Sequence, residues 1–265
     1  MKFNASKIQC PETISAVLAS LIYDEENFIG SCHELLDFKA HCWTVPNQKY
    51  FYAVVIDDAN RRLWIVYRGT DGKTPWGKLL SWTTINLRYR ANKLGFHTGF
   101  DSIAKKSAQN ISAYIYSGYT VYVTGQSQGA GVSVPAAFGL CDAVGHLQAD
   151  LWCAPPAVNE NGRQLVKRKM EEGRLSINNW VSPGDLISKK FLRQRKGDLA
   201  GRDVGEPRLL GDIIHPKYGL FEPVSHSPRV MLAGYLAWLI EKCHDVPQED
   251  VKLISHVIMS GMVVN

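Results

Sequence analysis

No stretch of this sequence is apolar for long enough to cross a bilayer. The longest run near the carboxyl end, Val230 to Ile240, is about half of the ~20 residues a spanning helix requires, and Glu241 and Lys242 follow it at once. The amino-terminal segment is also poor in continuous hydrophobicity. Met1 to Cys10 intersperses Lys2, Asn4, Ser6, Lys7 and Gln9 among single apolar residues, which is not the pattern of a cleavable secretory signal. A soluble chain is expected, cytoplasmic or delivered by a route that reads no signal peptide. The six cysteines lack C-x-x-C spacing. Neither a zinc ribbon nor a disulfide framework is written into them, and free buried thiols are the expectation. No two histidines stand at the spacing of a helical metal site, so neither a metal nor a cofactor is expected.

Neither sign of charge dominates. The net charge is +5, and one segment accounts for it: Lys189, Lys190, Arg193, Arg195, Lys196 and Arg202 against Asp198. Phe191 is the only aromatic residue in that segment, so the stacking platform of a single-strand groove is missing and no nucleic acid is expected. A solvated basic loop is the simpler reading, with anionic lipid headgroups as its electrostatic partners.

What the chain does have is hydrophobic content, 45% of 265 residues, enough for one substantial core. A single domain over residues 1–265 is expected, with its core at about 51–243. Short β-branched and aromatic runs, Phe51 to Ile56 and Leu63 to Tyr67, flank the polar Asp57-Asp58-Ala59-Asn60 and read as a hairpin or meander. From there helices and strands alternate: helix Phe100 to Tyr116, strand Tyr119 to Thr124, helix Gly129 to Val144, strand Ala149 to Cys153, helix Asn159 to Glu172 and strand Arg174 to Trp180. Helices near Pro228 to Cys243 and Glu249 to Met259 finish the chain. Such alternation predicts an α/β fold, a mostly parallel sheet with helices on both faces, and places any site at the carboxyl ends of the strands.

At one such end stands Gly125-Gln126-Ser127-Gln128-Gly129, followed by the small residues Ala130, Gly131, Val132 and Ser133. This is G-x-S-x-G between a strand and a helix. The motif needs glycine because the turn is sharp, and a side chain at either flank would meet neighbouring backbone. The helix that follows aims free N–H groups at the place where a tetrahedral oxyanion would form, and the amide of Gln128 is the natural first donor. Ser127 is therefore the candidate nucleophile of an acyl-transfer site.

Further segments resemble the class 3 (fungal-type, triacylglycerol) lipase family of the α/β-hydrolase superfamily. They are Ile65-Val66-Tyr67-Arg68-Gly69-Thr70, Ser81 to Leu87, His97-Thr98-Gly99-Phe100, Cys153 to Asn159 and Asn179 to Ile187, and the resemblance spans about residues 51–236. It implies an α/β-hydrolase fold, Thr70 as the second oxyanion donor, and a lid within 71–96 carrying Trp76. Where the family has His before the serine and Leu after it, this chain has Gln126 and Gln128, which implies a more polar entrance to the acyl pocket.

In this fold the acid and then the histidine follow the serine along the chain. Asp185, after the strand-like Arg174 to Trp180 and the turn Ser182-Pro183-Gly184, fits the acid, with Asp212 in reserve. His226, in Ser225-His226-Ser227-Pro228 ahead of the last core helix, is the first candidate for the base, and His215 is the reserve. His244 and His256 read as surface or packing residues. His97 and Arg68 are expected to brace the fold. The implied activity is hydrolysis of a carboxylic ester, of a lipid, with transient contact to a membrane or micelle surface. Phospholipase A1, thioesterase or acyltransferase chemistry on the same triad, and an inactive lipase-like binding module, are the alternatives.

Overall fold

The computed structural model describes residues 2–45, 50–70, 90–182, 204–205, 207–210, 227–243, 245 and 247–263. Among them seven strands form one sheet whose spatial order is the order of the chain. They are β1 (Lys39–Val45), β2 (Tyr50–Asp57), β3 (Arg62–Tyr67), β4 (Thr120–Gln126), β5 (Leu147–Trp152), β6 (Leu175–Val181) and β7 (Pro207–Leu209). The first three are paired antiparallel, and every pairing from β3 to β7 is parallel. Helices α1 (Pro11–Leu21) and α2 (Phe28–Leu36) precede the sheet, α3 (Thr98–Ser112), α4 (Gln128–Val144) and α5 (Glu160–Glu171) connect its parallel strands, and α6 (Pro228–Lys242) and α7 (Gln248–Met259) close the chain.

Strand periodicity sorts the apolar side chains into two cores, one on each face of the sheet. In β2 every residue is buried. Phe51, Ala53 and Val55 join a core with Trp64, Ile14, Leu18, Phe28, Tyr235 and Ile254. Tyr52, Val54 and Ile56 join the other, with Ile65, Val123, Phe100, Ile103 and Val132. The first core is thus covered by α1, α2, α6 and α7 and the second by α3 and α4. The hairpin and the strand and helix runs expected from residue 51 onward appear as β2 to β6 and α3 to α7. The core also takes in both ends of the chain.

No element is expected from the sequence between residues 11 and 49, although α2 buries Phe28, Cys32, Leu35 and Leu36 at helical spacing. In α1 every residue from Thr13 to Leu21 is buried, including Thr13, Ser15 and Ser20, because the helix lies between the sheet and the carboxyl-terminal helices and has no solvent face to mark. Its cap is tertiary. No side chain next to it in sequence caps its amino end, and Asp250 of α7 does so instead, accepting from Gln9 N (3.0 Å), Cys10 N (3.1 Å) and Thr13 Oγ1 (2.6 Å). One carboxylate ties the two ends of the chain together. All six cysteines are free, and burial pushes the Cys10 and Cys42 thiols up to about 12. Among the described residues no helix is long and apolar enough to cross a membrane.

Beneath α1 the sheet is polar. Asp150 of β5 accepts from Asn178 Nδ2 (2.7 Å) and Gln148 Nε2 (3.1 Å), and both amides also reach Glu12 Oε1 (3.3 and 3.4 Å). Burial, and then the negative charge of Glu12, push the Asp150 carboxyl from 3.8 up to about 6, against hydrogen bonds from Ser15, Asn178 and Gln148. A carboxyl raised on folding favours the native state most when protonated. That contribution is fully present below the unfolded value near 4 and is lost as pH rises through about 6. Asp150→Asn should therefore gain stability over the wild type between pH 4 and pH 7, on the order of 3 kcal/mol. Urea unfolding at the two pH values measures it, and a difference that ignores pH would count against the buried charge.

Candidate active site

Strand β4 ends in Gly125 and Gln126, α4 begins at Gln128, and Ser127 between them has φ 58° and ψ −125°. An L-residue in that region carries about 1–3 kcal/mol of strain and persists only when its surroundings over-determine it. Here the backbone N–H of Ser127 donates to Trp152 O at the end of β5 (2.9 Å), and its carbonyl accepts from Gly131 N (3.1 Å) in the first turn of α4. The flanking glycines clear the bend. A Cβ on Gly125 would lie 2.5 Å from Gly129 C and 2.7 Å from Tyr67 O, and one on Gly129 would come within 2.8 Å of Tyr67 C. The helix can turn back this tightly only because neither residue has a side chain. Ser127 itself is 7% exposed.

Register brings the second expected segment alongside. β3 runs parallel to β4 with Tyr67 opposite Gly125, so Arg68, Gly69 and Thr70 leave the sheet at the same carboxyl edge as Ser127. The two expected oxyanion residues meet there: Thr70 Oγ1 donates to Gln128 Oε1 at 3.2 Å. The backbone N–H of Gln128 belongs to the first turn of α4, where amides have no partner within the helix. A concentration of donors and the positive end of a helix therefore border the strained serine.

The loop between α1 and α2 contributes residues that the sequence did not single out. The Tyr23 hydroxyl accepts from the Gly69 N–H and donates to Gln126 Oε1, and Arg68 is paired with Glu25. Burial pushes the Tyr23 phenol well above the usual tyrosine range, so it remains a neutral donor. One hydroxyl thus joins the turn after β3 to the residue before the serine. Gln126 is 1% exposed. Its amide oxygen accepts from Tyr23 inside the fold. No local signal marks Tyr23, one aromatic residue ahead of the polar Asp24-Glu25-Glu26-Asn27.

His97 is a brace, as Arg68 is. Its Nδ1 accepts from Gly99 N (3.1 Å) and Phe100 N (3.4 Å), capping α3, and its ring stacks on Phe100 at 4.2 Å. Burial pushes the imidazole down to about 4, so the ring is neutral at pH 7 and its nitrogen lone pair is available as the cap acceptor.

The expected acid Asp185 and base His226, the reserves Asp212 and His215, residues 71–89 of the lid segment and the basic segment 189–202 lie outside the described residues. Around them, Ser182 follows the end of β6, and Ser227 caps α6 by accepting from Val230 N at 3.2 Å. Among the described residues no group of three or more His, Cys, Asp or Glu side chains is arranged to hold a metal ion.

No family model matches the chain, and no curated protein matches it in sequence. Solved structures do match in shape. A lipase from Rhizopus microsporus var. chinensis superposes with a TM-score of 0.52 at 17% identity, over 70% of this chain and 69% of that one. The Lip2 lipase of Yarrowia lipolytica gives 0.56 at 15% identity, over 73% and 77%. A triacylglycerol lipase whose catalytic centre is formed by a serine protease triad gives 0.52 at 17%, over 66% and 72%. The likeness is one of fold: this chain has the α/β-hydrolase fold seen in the fungal triacylglycerol lipases.

The strain at Ser127 can be measured directly. Glycine is ordinarily less favourable than alanine in an element interior, but at φ 58° and ψ −125° it has no Cβ to clash. Ser127→Gly should be more stable than Ser127→Ala by about 1 kcal/mol in urea unfolding. The reverse order would mean that the bend is relaxed.

Proposed function

We propose that this chain is a serine esterase of lipase type, which hydrolyses carboxylic esters of lipids through an acyl-enzyme intermediate. The observation that carries the reading is the strained Ser127, set between β4 and α4 with Thr70 and Gln128 joined beside it. Backbone strain of this kind gathers at functional sites, and a hydroxyl at the mouth of a helix is placed for nucleophilic attack.

In the proposed mechanism His226 takes the proton of Ser127 Oγ as that oxygen attacks the ester carbonyl. Asp185 orients the imidazole and stabilises its protonated form. The oxyanion is held by the backbone N–H groups of Gln128 and Thr70, each donor being worth roughly 3 kcal/mol in the transition state. The alcohol leaves with the proton from His226. Water, deprotonated by the same imidazole, then releases the acyl group and restores the serine. Chain order supports the assignment, since Asp185 and His226 follow Ser127 in the sequence proper to this fold. So do the solved structures of like fold, which are lipases and include one with a serine protease triad. Of the expected lid segment 71–96, residues 71–89 are proposed to open at a lipid surface, where the basic segment 189–202 meets anionic headgroups. Residues 91–96 do not belong to it, since the bridges Ala91–His97 and Phe96–Val158 and the burial of Phe96 hold them to the core.

A fluorophosphonate probe should label the wild-type protein at Ser127, and Ser127→Ala should lose both the label and the hydrolysis of p-nitrophenyl esters. His226→Ala should lower kcat by about 10⁴-fold or more, while His215→Ala stays close to wild type. Exchange of those two outcomes would move the base to His215. Absence of labelling in folded wild-type protein would remove the hydrolase reading altogether. Turnover that rises sharply once the substrate forms micelles is expected of the lid, and simple saturation through that point would reject it.

A further inference from the structure

Gln128 has a side chain as well as an amide, and the side chain is half engaged. Its Oε1 accepts the Thr70 hydroxyl at 3.2 Å, the residue is 2% exposed, and its Nε2 is buried with no partner among the described residues. Buried polar groups are nearly always hydrogen-bonded, and a carboxamide with two unsatisfied N–H donors destabilises the fold that contains it. That arrangement persists next to the strained nucleophile, in the first turn of a helix whose positive end faces the same place. An acceptor that gains negative charge would satisfy it, and the reaction proposed above creates one there. The Thr70 bond has a second consequence. A hydroxyl has one hydrogen to donate, and Thr70 directs it to Oε1, which restrains the carboxamide and leaves Nε2 as its free end.

We infer that the Gln128 carboxamide is a third, side-chain donor to the oxyanion, and that the Thr70 hydroxyl is a positioning group that acts on the reaction through Gln128. The inference rests on the proposed ester hydrolysis. It divides Thr70 into two roles: its backbone N–H serves the oxyanion directly, and its hydroxyl holds a neighbour in place. The polar residue after the serine is then a working part of the site, and the transition state, more than the bound ester, provides its missing partner.

The test is a double-mutant cycle on p-nitrophenyl butyrate, with fluorophosphonate labelling of Ser127 as the parallel readout. Gln128→Met keeps the length, the burial and the backbone N–H but has no carboxamide. It should lower kcat on the order of 100-fold with KM changed by less than about twofold. Thr70→Val should lower kcat in the wild-type background and have little further effect in the Gln128→Met background, because its hydroxyl acts through Gln128. Two results overturn the inference: a Gln128→Met enzyme with wild-type kcat, or effects of the two substitutions that multiply, as they would if the Thr70 hydroxyl touched the oxyanion itself. If Gln128→Met does not fold, Gln128→Leu supplies the test, since it keeps the backbone N–H and adds no charge but has no side-chain N–H to offer. It should show the same loss of kcat, and retention of kcat would overturn the inference. A wild-type protein that neither labels nor hydrolyses overturns the hydrolase reading and this inference together. A wild type that does both, beside a fully active Gln128→Met, overturns this inference alone.

Discussion

A serine stays at φ 58° and ψ −125° only where its neighbours leave it no alternative, and at Ser127 they act from three sides. The carbonyl of Trp152 holds its amide, the first turn of α4 holds its carbonyl, and Gly125 and Gly129 allow strand and helix to pass at a distance that a Cβ would forbid. Each restraint belongs to a different part of the fold. The bond to Trp152 requires β4 and β5 to pair in register, and the clearance at Gly129 is measured against the end of β3. The bend is therefore a property of three adjacent parallel strands and cannot be preserved by the five-residue motif alone.

The same parallel arrangement gathers the chemistry. Because β3 and β4 run side by side with Tyr67 opposite Gly125, the turn through Thr70 and the turn through Ser127 emerge at one edge. Tyr23 then fastens the two turns together from outside the parallel unit, through Gly69 and Gln126, while the Arg68 and Glu25 pair anchors the same turn. The amino-terminal segment thus supports the site as well as the core. Its own position depends on Asp250, which caps α1 from the far end of the chain. The polar layer beneath α1, with Asp150 pushed up to about 6, shows that this helix covers charged and amide groups as well as apolar ones. Burying such a group is unfavourable unless its hydrogen bonds are met, and here both amides bond Oδ1 while Oδ2 is buried without a hydrogen-bond partner among the described residues.

Much of this was legible in advance where a period or a motif was present. β2 to β6 and the helices from α3 onward follow the alternation of apolar runs and amphipathic stretches, and Gly125-Gln126-Ser127-Gln128-Gly129 announced the bend. The bracing roles expected of His97 and Arg68 have their counterparts in a helix cap and an ion pair. The helix at 11–21 left no trace because a helix buried all round has no polar face to set a period. The bond between Tyr23 and Gln126 was not legible for a related reason: its two partners stand more than one hundred residues apart along the chain.

The sequence by itself determined the alternation of strands and helices, the two-sided core and the identity of the residue at the bend. These depend on local periodicity and on which residues tolerate a tight turn, and both are written over a few neighbouring positions. Tertiary structure alone decided that the Thr70 hydroxyl faces the Gln128 side chain, that Tyr23 joins the turn after β3 to the residue before Ser127, and that Asp250 caps α1. Those contacts link residues far apart along the chain. They exist only after strand register has set which ends lie side by side, a choice that depends on the packing of the whole sheet and not on any one segment of it.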